Sequence, residues 1–158
     1  MPIYMKIEGV KGGVQTVGFE DQIELTSLQW GVGRGISAYT GTARNPSSPS
    51  LSEITVTKVT DASSMSLVRN ATFGDPIPLI EISMTRDKGG GDQEAYLIIK
   101  IESVLISGFS ISSGGDFPSE SVSLNYLKIA MDQNWRATDY SEGGNDEYKF
   151  DLQTMKPA

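Results

Sequence analysis

The chain has no cysteine and no histidine among its 158 residues. Without thiols there are no disulfide staples, no thiolate ligands for zinc or iron–sulfur clusters, and no sulfur nucleophile. Without imidazole the Ser-His-Asp and Cys-His nucleophile systems fall away, together with any switch that titrates an imidazole near neutral pH. Long hydrophobic runs are missing too. The longest clean stretch, Tyr96-Leu97-Ile98-Ile99, is far short of the roughly 18 apolar residues that cross a bilayer as a helix. Positive charge is scarce: 13 Lys and Arg stand against 20 Asp and Glu, a net charge of −7 that opposes binding to phosphate backbones or anionic membranes. These absences predict a soluble, non-enzymatic chain with no cofactor, no bound metal, no nucleic-acid partner and no membrane insertion. The opening Met1-Pro2-Ile3-Tyr4-Met5-Lys6-Ile7-Glu8 has neither a basic n-region nor an unbroken apolar h-region, so no signal peptide is expected and the protein is expected to start in the cytoplasm.

What is present is alternation. Ile3, Met5 and Ile7 alternate with Tyr4, Lys6 and Glu8; Ile80, Ile82 and Met84 with Glu81, Ser83 and Thr85; Tyr148, Phe150 and Leu152 with Lys149, Asp151 and Gln153. Successive strand side chains project to opposite faces, so each set marks one buried face of a sheet. Further strands are expected over residues 22–32, 51–59, 94–102, 104–111 and 120–131, about eight in all. Within the last of these the apolar phase flips between Tyr126 and Leu127, as at a β-bulge or a strand that crosses between sheets. Asp87-Lys88-Gly89-Gly90-Gly91-Asp92 and Gly114-Gly115-Asp116-Phe117-Pro118 read as hairpin loops. One segment breaks the pattern. Residues 62–73 read as a short α-helix, with Asp61 or Ser63 as N-cap, Met65, Val68 and Thr72 at helical spacing, and Gly74 suited to a left-handed C′ position. Residues 33–50 show no periodicity and read as a long loop, and residues 136–146 as an acidic, Gly-rich surface loop. The expected architecture is mainly β, a two-sheet β-barrel or sandwich forming a single domain over residues 1–158.

Little here announces chemistry. Gly31-Val32-Gly33 follows a strand, but a phosphate cradle needs a helix N-terminus behind it and a polar loop follows instead. The acidic stretch Asp139 to Glu147 lacks the EF-hand spacing that would gather oxygens around calcium, and solvated acidic loops are far commoner. Carboxylate pairs hydrolyse glycosides at defined separations, which a sequence does not supply. Trp30 closes a strand in phase with Leu28 and reads as core. Trp135 borders the acidic stretch and leaves a second functional class open, a secreted β-sandwich module binding carbohydrate or another ligand.

Several segments carry a family likeness. Ile3 to Gly12 forms an opening strand and turn, Leu28-Gln29-Trp30-Gly31 a Trp-Gly strand end, and Ile54 to Ser64 leads into the helix ahead of Ile77-Pro78. A longer block runs from Ile106-Ser107-Gly108-Phe109 through Gly114-Gly115-Asp116-Phe117-Pro118 to Tyr126-Leu127-Lys128-Ile129. Together, and in order over nearly the whole chain, these resemble the haemolysin-coregulated protein (Hcp) family of type VI secretion tube proteins. Met65 stands where many members have proline, and Lys149-Phe150-Asp151 where many end in Gly-Trp-Asp.

The resemblance implies a structural subunit rather than an enzyme. It implies hexameric rings that stack into a tube inside a contractile sheath, tipped by a VgrG-type spike, with effector proteins carried in the channel and the tube exported from the cell. Alternation puts Ser27 and Gln29 opposite Leu28 and Trp30, and the position before Trp-Gly resembles one lining the family's channel, so Ser27 and Gln29 are the lumen candidates. In the 33–50 segment Ile36 and Tyr39 are possible apolar anchors, and Arg34 and Arg44 are cations in an acidic chain. These four residues are the candidates for contacts between subunits.

Overall fold

The computed structural model describes residues 1–38, 44–136 and 141–158. In chain order it contains β1 (Ile3–Ile7), β2 (Ile23–Leu25), β3 (Ser27–Gln29), β4 (Val32–Ala38), β5 (Arg44–Leu51), β6 (Ile54–Val59), α1 (Ser64–Phe73), β7 (Ile77–Gly89), β8 (Asp92–Ser112), β9 (Ser119–Asn125), β10 (Lys128–Arg136), β11 (Glu142–Asp151) and β12 (Lys156–Pro157). One layer has the order β12-β11-β10-β8-β7-β1-β2, and the other joins β3, β6, β9 and the second half of β8. A separate ribbon pairs β4 with β5. The expected mainly β, two-sheet architecture is found.

The layers are joined wherever the apolar phase flips. In β8, Ile99 and Ile101 point inward at odd positions and Val104 and Ile106 at even ones; Ser103 between them has φ 52°, outside the strand region. The first half of this 21-residue strand pairs with β7 and β10, the second with β9. The change from Val122, Leu124 and Tyr126 to Ile129 marks the same event, because β9 lies in one layer and β10 in the other. A third crossing falls at Thr26, between β2 and β3. Following neighbours from β8 through β7, β1 and β2, across Thr26 into β3, β6 and β9, returns to β8. Between the layers lie Met5, Ile23, Ile54, Val56, Ile80, Ile82, Ile101, Val122 and Leu124, all fully buried, each contributing on the order of 1.5–3 kcal/mol of transfer free energy.

The helix begins at Ser64 and ends at Phe73, as expected within two residues, but its buried face is turned. Ser64 and Leu67 face the core, while Met65 and Thr72 are exposed. The rotation is set by Ser64, which hydrogen-bonds into a buried ion-pair network described below. Ser63 makes no capping bond; Asp61 instead accepts from the Ser63 backbone and hydroxyl, at 2.8 and 2.5 Å. Gly74 is extended, at φ −71°, rather than left-handed. Glycine is required there for another reason: a Cβ would lie 2.4 Å from the Asn70 carbonyl oxygen.

Two expected loops are strands. Residues 33–50 contain most of the β4–β5 ribbon, and much of 136–146 belongs to β10 and β11. Both faces of the ribbon are largely exposed, so no burial period was imposed on its sequence. Pro46 and Pro49 sit in β5, whose one partner among the described residues is β4, and an edge strand tolerates their missing N–H. Gly35 opens a bulge opposite Ser47, where a Cβ would lie 2.9 Å from the Ser47 hydroxyl. The Asp87–Asp92 turn is the expected tight hairpin, with Gly90 and Gly91 both at positive φ.

Candidate functional site

Three rows of the smaller layer's outward face carry no charge. The register places Gln29, Thr55, Ser123 and Gly108 in one row, Ser27, Thr57, Ser121 and Ser110 in the next, and Val59, Ser119 and Ser112 in a third. No Asp, Glu, Lys or Arg occupies these rows. Both lumen candidates therefore lie on one surface, exposed, opposite the inward Leu28. The hydroxyls partner one another: Thr57 Oγ1 shares hydrogen bonds with Thr26 Oγ1 at 2.8 Å and Ser27 Oγ at 2.5 Å. Glu53 stands one residue before β6, in phase with Thr55 and Thr57, so its carboxylate borders these rows; it accepts from Ser107 Oγ at 2.8 Å and Asn125 Nδ2 at 3.1 Å.

The larger layer is the reverse. Its outward rows carry Lys6, Glu81, Lys100 and Lys149, then Leu79, Glu102, Lys128 and Asp151, with long pairs at Lys100–Glu81, 3.8 Å, and Lys128–Asp151, 4.0 Å. Such exposed pairs contribute little stability and mark a solvated or contact surface.

Directly behind the uncharged face is an ion pair that sequence reading did not single out. Lys58 and Glu120 are register partners on β6 and β9, 0% and 1% exposed. Lys58 Nζ donates to Glu120 Oε2 at 2.8 Å, to the Val59 carbonyl at 3.0 Å and to Ser64 Oγ at 3.2 Å, with Asp61 Oδ1 at 2.9 Å. Glu120 also accepts from Thr60 Oγ1 at 2.8 Å and Ser64 Oγ at 3.0 Å. Burial pushes the Glu120 carboxyl up, but the hydrogen bonds from Lys58, Ser64 and Thr60 outweigh it and hold the carboxyl below its ordinary value. The signal was parity: Lys58 continues the inward series Ile54, Val56, and Glu120 precedes Val122 and Leu124. Lys58, Glu120 and Ser64 are buried, so the cluster ties α1 to the sheet, with Asp61 at its partly exposed edge.

At the opposite end of the smaller layer the ribbon is rooted. Trp30 Nε1 donates to Tyr126 Oη at 2.6 Å, and Tyr126 donates to the Ser52 carbonyl at 2.8 Å. Burial raises the Tyr126 hydroxyl above its ordinary value, against the Trp30 hydrogen bond. Gly31 and Ser52 bridge the ribbon's base, with Gly31 N donating to Ser52 Oγ and Ser52 N to the Gly31 carbonyl, both at 2.9 Å. Trp30 is half-buried against the core, as its phase predicts. Of the subunit-contact candidates, Arg34 and Ile36 lie on β4, Ile36 being 57% exposed. Arg44 opens β5, while its side chain and all of Tyr39 lie outside the described residues.

Trp135 is 49% exposed and lies across Gly143 and Gly144 of β11, where a Cβ on Gly143 would come within 2.3 Å of the indole. Beside it Arg136 Nη2 donates to Glu94 Oε2 at 2.7 Å, and Arg86 Nε reaches the same oxygen at 3.4 Å, joining two hairpins. The Arg136 hydrogen bond holds the Glu94 carboxyl below its ordinary value. Among the described residues no group of three or more acidic side chains is placed to hold a metal ion, and no helix is long and apolar enough to cross a membrane.

The family model described as "Type VI secretion system effector, Hcp" matches residues 4–133. The chain is 27% identical over 153 residues to the protein hcp1 of Pseudomonas aeruginosa, covering 95% of this chain and 94% of that one. A solved structure of a type six secretion system protein superposes with a TM-score of 0.89 at 25% identity, over 99% of both chains. Hcp1 from Salmonella typhimurium superposes with a TM-score of 0.80 over 99% of this chain and 98% of that one; at 19% identity, that likeness concerns the fold alone.

Proposed function

Because the chain belongs to the haemolysin-coregulated protein (Hcp) family of type VI secretion proteins, we propose that it is the structural subunit of the secretion tube, forming hexameric rings that stack inside a contractile sheath and carry effector proteins. In this reading the protein is made in the cytoplasm and leaves the cell with the tube, behind a VgrG-type spike. It acts by assembly and not by catalysis. The observation that carries the proposal is the contrast between the two outward faces, one uncharged and hydroxyl-covered, the other charged. A ring subunit needs such sidedness, with one face for the channel and others for neighbours and sheath. The uncharged face, with Ser27 and Gln29, is assigned to the channel wall.

Exposed apolar groups supply contact area elsewhere: Phe73 is 98% exposed at the end of α1, and Ile36, Trp135 and Tyr148 stand out from the ribbon and the outer strands. Large exposed side chains of this kind are enriched where subunits meet. Light scattering on the purified chain tests the proposal. The expected mass is six chains, with negative-stain images showing rings around an empty centre. A monomer across the accessible concentration range would overturn it.

A further inference from the structure

We infer that the uncharged face retains polypeptide cargo through hydroxyl hydrogen bonds to amide groups, so that retention is blind to the sign of the cargo's charge. The inference rests on the assignment of this face to the channel wall. A chain of net charge −7 would be expected to favour basic partners through its summed field. Here, however, the three register rows that form the face carry Ser, Thr, Gln, Gly and Val only. Beneath it Lys58 and Glu120 face inward and pair at 2.8 Å, with Asp61 at 2.9 Å from the same ammonium. Acidic residues such as Glu81, Glu102 and Asp151 lie on the outward face of the other layer. Their field at the channel wall is screened over a Debye length of about 8 Å at physiological salt.

A hydroxyl is both donor and acceptor and rotates to suit its partner. A backbone amide is likewise both. The rows therefore offer a repeated match to any polypeptide, whatever its side chains, with each contact weak and exposed to water. Retention then comes from number, because every subunit of a ring presents the same rows. Selection of cargo by charge would require a fixed charge within these rows, and the register supplies none; Glu53 stands beyond their end, with its two carboxylate oxygens held by Ser107 and Asn125.

The test uses assembled full-length protein and three dye-labelled flexible peptides of equal length, one acidic, one neutral and one basic, followed by fluorescence anisotropy at low and high salt, with light scattering in parallel. Apparent affinities should agree within about threefold across the three peptides and change less than about threefold with salt. In T57K/S121K, which adds two lysines to the central row, rings should persist while the acidic peptide gains at least about tenfold at low salt and loses that gain at high salt. A wild-type preference of more than about tenfold for the basic peptide, abolished by salt, would overturn the inference while leaving the ring in place. So would rings that bind none of the three. A monomer in the scattering record removes the ring reading and this inference together.

Discussion

Lys58 and Glu120 show how much one residue pair can decide. Both are taken fully out of water, which costs several kcal/mol for each ion unless the pairing is complete. Here it is complete, with hydroxyls of Thr60 and Ser64 filling the remaining positions on the carboxylate. Replacing one partner strands the other: Lys58→Met should cost about 3–5 kcal/mol in chemical denaturation, and K58M/E120L should regain most of that loss. The pair also has a pH signature. Because the Glu120 carboxyl is held below its ordinary value of 4.5, its contribution is present above that pH and is lost as pH falls through the lower, folded value. Denaturation followed from pH 7 to 3 should therefore show a loss of stability in the wild type that is smaller in K58M/E120L; equal losses would remove the role assigned to Glu120. The inward parity of Lys58 was legible in the sequence. Its partner was not, because register between β6 and β9 is a long-range fact that alternation does not encode.

At the scale of elements, legibility followed burial. The phase flip between Tyr126 and Leu127 was readable because each half of that segment buries a face in a different layer; residues 94–102 and 104–111, expected as two strands, are instead one strand, β8, that turns at Ser103. The ribbon was unreadable because its faces meet solvent within the protomer, and its Gly and Pro positions mimic a loop. A two-stranded ribbon is marginal by itself in water, and in the proposed ring a second copy of the chain would cover its faces. Replacing residues 33–50 by a short Gly-Ser turn should thus leave the circular dichroism and, within about 1 kcal/mol, the stability of the body unchanged. Sedimentation should show loss of ring or tube assembly. Assembly equal to wild type would mean that Arg34 and Ile36 make no contact between subunits.

For the whole molecule, the two layers are connected through the chain as well as through packing. β8 runs through both without a break, and its central residues, Ile99, Ile101, Val104 and Ile106, are buried on either side of the Ser103 corner. Their amides should be the last to exchange with deuterium in the assembled protein; faster exchange there than in β1 or β6 would place the most stable unit elsewhere. A continuous strand also has a mechanical meaning. Sheets held together only by side-chain packing can shear by sliding, losing one small contact after another. In this fold a load that drags the smaller layer past the larger one is carried along the covalent backbone at residue 103, so the subunit should yield by bending at that corner before its layers slip.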